Sequence, residues 1–157
     1  MILVSACLAG VKTRYDGESR DNTAVMRLIA ERKAMPLCPE VLGGRGIPRE
    51  PVEIVGGDGE DVLDGTAKVL DKNGKDYTSE ILDGVNEFIR ALKRFNADTV
   101  ILKSKSPTCG MGKIYDGTFK GNLVDGDGVL TAALKREGIR LYNENNCDII
   151  FPDMKAK

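Results

Sequence analysis

A chain of 157 residues with 41% hydrophobic and 30% charged residues has the composition of one compact globular domain. Lysine plus arginine is 23 against 24 aspartate plus glutamate, and a net charge of −1 gives no electrostatic reason to expect DNA, RNA or an anionic membrane as the main partner. Four cysteines and no histidine exclude every nucleophile paired with imidazole and every His-ligated zinc site; metal must be held by thiolates and oxygens, and proton transfer near neutral pH falls to a carboxylate, Lys, Tyr or thiol.

The N-terminus, Met1-Ile2-Leu3-Val4-Ser5-Ala6-Cys7, lacks a basic leader and a long apolar run, and no stretch approaches a membrane span. A cytoplasmic location with reduced cysteines is therefore expected, where thiols serve catalysis, metal binding or the core more often than disulfides. Ile2–Ala6 reads as a strand buried on both faces. Asn22 is placed to cap a helix running to about Ala34, with Val25, Leu28 and Ile29 inward. Met35–Leu37 forms a second strand, stopped by Cys38-Pro39. Residues 39–57, rich in Gly and Pro, read as irregular, and residues 52–72 as a hairpin excursion closed by the Asn73-Gly74 turn.

Ile81, Leu82, Val85, Phe88, Ile89, Leu92 and Phe95 recur at helical spacing and predict a helix over about Ser79–Phe95. Thr99–Lys103 is a third buried strand, and Ser104–Gly128 a long glycine-rich loop. A helix over about Val129–Glu137, ended by Gly138, leads to a fourth strand at Ile139–Tyr142 and an apolar tail through Asp148–Pro152. Strands alternating with helices imply right-handed crossovers and parallel pairing. The expected fold is a single three-layer Rossmann-like α/β domain over residues 1–157, with about four mostly parallel strands and the small hairpin at about 52–72. The tripeptide Tyr-Asp-Gly recurs at residues 15–17 and 115–117, too short a match to establish duplication.

On this topology Cys7, Cys38 and Cys109 each follow a strand, at the carboxyl edge where open parallel sheets bind ligands. Cys147, beyond the fourth strand, suits a buried structural role. The three converging thiols are open to several readings: small buried residues, a thiolate zinc site with an open position, or an iron–sulfur cluster with three protein ligands and one iron free to act as a Lewis acid. Spacing does not choose between zinc and iron. Glu40, two positions from Cys38, could be a general acid/base if a dry site raises its pKa, or an ordinary loop carboxylate paired with Arg45 or Arg49. In Lys103-Ser104-Lys105-Ser106-Pro107-Thr108-Cys109-Gly110, Ser104 and Ser106 can bond a bound heteroatom and Gly110 allows close backbone approach. Gly126-Asp127-Gly128 opens a helix whose free amides could hold an anion, but it matches neither phosphate-binding fingerprint.

Taken together, Ser5-Ala6-Cys7-Leu8-Ala9-Gly10 with Arg14-Tyr15-Asp16-Gly17, Cys38-Pro39-Glu40-Val41-Leu42-Gly43-Gly44, residues 103–110, and Ile114-Tyr115-Asp116-Gly117-Thr118-Phe119 resemble a small bacterial family that includes the thiouracil desulfurases. The match spans about residues 1–144 with its motifs in order. The resemblance implies a [4Fe–4S] cluster held by Cys7, Cys38 and Cys109, with the open iron binding the sulfur of a thiolated pyrimidine or similar thioamide. Sulfur then leaves without net redox change and water supplies the oxygen. Glu40 and a loop serine, Ser104 or Ser106, match the proton-transfer and polar positions, and Asp16 and Lys105 are the expected substrate contacts. Many relatives carry Cys where this chain has Thr13; were that Cys a ligand this chain would be defective, and the simpler reading is that it is dispensable and Cys7 is the ligand. The alternatives are a non-catalytic metal-binding or redox-sensing module and a zinc-dependent hydrolase using the same thiols.

Overall fold

The apolar N-terminal run forms β1 (Ile2–Ser5), with Leu3 and Val4 fully buried on opposite faces. In the computed structural model, which describes residues 1–150, a 3-10 turn over Ala6–Ala9 follows, then α1 (Thr23–Ala30) and β2 (Ala34–Leu37). Asn22 caps α1 as expected, its side chain accepting the Val25 N–H at 3.1 Å. The helix stops at Ala30 rather than Ala34 because Arg32 turns into the left-handed region (φ 58°) and Ala34 is already strand. Pro36 lies inside β2, at the sheet edge, where a missing N–H is tolerated.

The stretch expected to be irregular contains α2 (Pro39–Leu42), a single turn with Pro at its start. The excursion is the antiparallel pair β3 (Val52–Val55) and β4 (Lys68–Asp71), with an unforeseen short α3 (Gly59–Leu63) between them. Asp58 and Asp61 cap α3 reciprocally, at 3.2 and 3.0 Å. Asp71 organises the Asn73-Gly74 turn by accepting the Asn73 and Lys75 N–H groups, at 2.8 and 2.9 Å.

Next come α4 (Thr78–Arg94) and β5 (Thr99–Leu102). The loop expected over 104–128 encloses a second antiparallel hairpin, β6 (Lys113–Tyr115) with β7 (Leu123–Asp125). Then α5 (Val129–Arg136), β8 (Arg140–Asn143) and a 3-10 turn (Cys147–Ile150) complete the described chain; the expected tail residues Phe151 and Pro152 lie outside it.

All pairs in the central sheet are parallel, in the order β2-β1-β5-β8. Val4 and Ile101 pack with Val25 and Leu28 of α1 on one face. Leu3, Val100 and Leu102 pack with Phe88 of α4 and Leu130 of α5 on the other, which makes the three layers. Val52, Ile54, Val62 and Val69 of the excursion join that second core. No helix among the described residues is long and apolar enough to cross a membrane.

Candidate active site

The chain leaves β1 toward β2 on one side of the sheet, and β5 lies on the other side of β1. Crossovers diverging from a central strand open a crevice at the carboxyl ends. Cys7 sits there in the turn after β1, Cys38 at the junction of β2 and α2, and Cys109 in the loop after β5. All three line one cavity of about 480 Å³, the size of a small-molecule site. None is in a disulfide; Cys7 and Cys109 are buried and Cys38 half-buried. Cys147, 2% exposed, packs with the α1-side core and its thiol approaches Asn22 Oδ1 at 3.7 Å, in keeping with a structural role.

Burial pushes the Cys7 thiol up to about 11, the charge of Cys38 adds to this, and Lys103 and Arg14 oppose it. Cys109 is also raised, chiefly by burial, against a hydrogen bond from Ser5. Without metal these two sites favour the protonated thiol, so ligation must displace protons.

The loop carrying Cys109 is fastened by the start of α5. Gly128, Val129 and Leu130 donate backbone N–H groups to the carbonyls of Gly110, Pro107 and Thr108, at 2.7, 2.9 and 2.9 Å. The anion site considered for Gly126-Asp127-Gly128 is thereby corrected: those amides are spent on the cysteine loop, and the Asp127 carboxylate takes Gly112 N–H and Lys135. Ser106 Oγ accepts the N–H groups of Thr108 (3.0 Å) and Cys109 (2.8 Å), so its own proton is left to donate. The Thr131 hydroxyl donates to the Cys109 carbonyl at 3.1 Å.

Glu40 lines the cavity and pairs with both candidate arginines. Arg45 Nη1 and Arg49 Nε meet its Oε1 at 2.7 and 3.3 Å, and neither takes Oε2. The Arg45 side chain is 2% exposed; it also donates to the Glu50 carbonyl at 2.6 Å and lies 4.3 Å from the Tyr77 ring centroid. This fixed guanidinium holds the carboxylate in place, while α2 itself is pressed against α4. A Cβ on Gly43 would stand 1.9 Å from the Glu80 carbonyl oxygen, and one on Gly84 1.9 Å from that of Pro39.

Of the other expected site residues, Ser106 and Lys105 line the cavity and Ser104 and Asp16 do not. Ser104 donates its backbone N–H to Glu144 at 2.8 Å, and Glu144 pairs with cavity-lining Lys103 at 3.0 Å. Asp16 binds Arg14, a lining residue, at 3.2 Å. Thr13 is in the wall, its carbonyl 3.9 Å from the Cys38 thiol. Sequence reasoning assigned no role to Ser5, Arg14, Lys103 or Phe119. Only the Ser5-x-Cys7 and Lys103-x-x-Ser106-x-x-Cys109 spacings could have drawn attention to two of them.

Three thiols in one cavity, with the fourth cysteine elsewhere, match a cluster ligated at three corners. Among the described residues no group of three Cys, Asp or Glu side chains is arranged to hold a single metal ion.

A profile of the 2-thiouracil desulfurase family matches residues 2–146. An uncharacterised protein of Bacillus subtilis (strain 168), YbbK, is 47% identical over 151 residues, covering 96% of this chain and 100% of that protein. The solved structure of TudS, described as a [4Fe–4S]-dependent thiouracil desulfidase, is 35% identical and superposes with a TM-score of 0.84, covering 99% of this chain and 98% of TudS. The profile spans all three cysteine motifs and the whole sheet, and the chain belongs to the 2-thiouracil desulfurase family.

Proposed function

We propose that this protein catalyses the non-redox desulfuration of a thiolated pyrimidine such as 2-thiouracil, with a [4Fe–4S] cluster held by Cys7, Cys38 and Cys109. A C=S group and one water become a C=O group and hydrogen sulfide, and no electrons are exchanged. The observation that carries this reading is the meeting of three free thiols and one arginine-held carboxylate in a single cavity. When bound, such a cluster supplies a thiophilic Lewis acid with an open position that polarises the C=S bond.

The protein's own residues supply the rest. Arg45 and Arg49 fix Glu40 through Oε1, and Oε2 takes a proton from water as that water attacks the thiocarbonyl carbon. The same proton then passes from Glu40 to the departing sulfur, and the hydroxyl proton left on the adduct follows it as the C=O bond forms, so that sulfur leaves as hydrogen sulfide. Ser106, whose oxygen is occupied by two backbone N–H groups, donates its proton to a heteroatom of the pyrimidine edge. Arg14, oriented by Asp16, together with Lys105 holds the polar edge of the substrate. Ser104 acts through its backbone alone. Arg14 and Lys103, the cations that oppose the rise of Cys7, balance the negative charge of three thiolates.

Turnover of 2-thiouracil by anaerobically reconstituted protein in ¹⁸O-enriched water tests this. The expected product is labelled uracil with one sulfide released per uracil. Glu40→Gln is expected to keep the visible absorbance of the cluster while kcat falls about 10²- to 10⁴-fold. Wild-type turnover in Glu40→Gln would remove that residue from the mechanism, and a loaded protein that forms no uracil would overturn the reading.

A further inference from the structure

Four residues other than glycine have a positive φ among the described residues: Arg32, Asn96, Lys105 and Phe119. Arg32 and Asn96 each follow the last capped position of a helix, α1 and α4 respectively, where a left-handed residue is the usual way to stop. No such ending accounts for the other two, and both line the cavity of the three cysteines. Left-handed backbone is strained for a bulky side chain and persists only where surrounding structure over-determines it; such strain gathers at functional sites.

At Phe119 (φ 60°) that surrounding structure is explicit. Glu53, in the cavity wall on β3, accepts the N–H groups of Gly117 at 2.9 Å and Phe119 at 3.3 Å. Gly117 sits so close to β3 that a Cβ would lie 2.6 Å from the Ile54 carbonyl oxygen. Asp116 closes the loop, donating its N–H to the Asn122 carbonyl at 3.0 Å and accepting that of Thr118 at 3.0 Å. A glycine or asparagine would adopt this backbone at little cost. The chain instead spends a carboxylate and a tight backbone contact to present an aromatic ring there.

We propose that Phe119 is a specificity-determining residue that stacks on the face of a planar heteroaromatic thione, so that ring thiones are taken in preference to open-chain thioamides; Glu53 is its positioning residue. The proposal rests on the desulfuration reading. Its chemistry is that of base–aromatic stacking, which tolerates any flat π-face and selects against a substrate lacking one.

The test compares 2-thiouracil with thioacetamide in the loaded wild type and in Phe119→Gly, Phe119→Ala, Phe119→Tyr and Glu53→Ala. The KM for 2-thiouracil is expected to rise about 5- to 150-fold in the Gly and Ala variants, the range of one stacked base, with kcat within about threefold of wild type. Phe119→Tyr should restore the wild-type KM, and Glu53→Ala should reproduce the rise. The preference for 2-thiouracil over thioacetamide should fall by the same factor. Without cluster, Phe119→Gly should melt above Phe119→Ala, since both lack the ring and only glycine relieves the backbone. An unchanged KM for 2-thiouracil in Phe119→Gly and Phe119→Ala, or equal losses on both substrates, would overturn the proposal. A wild type that turns over neither substrate would overturn the desulfuration reading on which it stands.

Discussion

At the scale of single residues, Glu40 meets one of its two readings, the pairing with Arg45 and Arg49, and it does so in the wall of the cysteine cavity, where the acid/base role is proposed. Its spacing from Cys38 and from Arg45 and Arg49 was legible in the sequence. That both arginines would seize the same oxygen was not, because it depends on a loop folding back through residues 45–50. Ser106 and Ser104 divide for a similar reason: the backbone turns between them, so one faces the cavity and the other is tied to Glu144. Cys7 offers a test by linkage. In the folded, unloaded chain it holds its proton up to about pH 11, whereas an unfolded cysteine releases it near 9.0. Between those values the folded state binds a proton that the unfolded state has lost, so stability falls as pH rises through that window and is unaffected below it. The melting temperature of unloaded protein should therefore decline from about pH 9 to pH 11, and Cys7→Ser should flatten part of that decline; equal slopes for both proteins would contradict it.

At the scale of elements, long periodic segments were readable and short ones were not. The 17-residue α4 shows its apolar stripe over several turns. The 4-residue α2 spans barely one turn, and β6 and β7, with 3 residues each, have too few alternations to reveal a strand. The strands of the central sheet were recovered to within about one residue at each end, β1 and β5 because an unbroken apolar run requires burial on both faces. What holds α2 in place is also hidden in sequence: Gly43 and Gly84 allow two backbones to touch. Gly84→Ala should cost about 1–3 kcal/mol through overpacking, read as a fall of several degrees in Tm, and should reduce turnover by displacing Glu40. Gly46, with open space where a Cβ would stand and no positive φ, is the control and should accept Ala with little change. A Gly84→Ala protein as stable and active as Gly46→Ala would contradict this account of the α2–α4 contact.

At the scale of the whole molecule, a chain with four cysteines and no histidine is confined by composition alone to metal ligation by thiolates and oxygens and to proton transfer without imidazole. The sheet order brings three of those cysteines to one cavity at the carboxyl edge, while Cys147 is buried in the α1-side core and does not line it. Sequence could place each thiol after a strand; only the sheet order and the loops show that one cavity joins them, with the N-terminal amides of α5 and the Ser106 hydroxyl holding the third in position. The most direct test of the central claim is iron and acid-labile sulfide per chain after anaerobic reconstitution, measured beside Cys38→Ala. The account predicts about four of each in the wild type, with 2-thiouracil converted to uracil, and loss of both cluster and turnover in Cys38→Ala. Stoichiometric zinc without sulfide, or a full cluster with activity retained in Cys38→Ala, would contradict it.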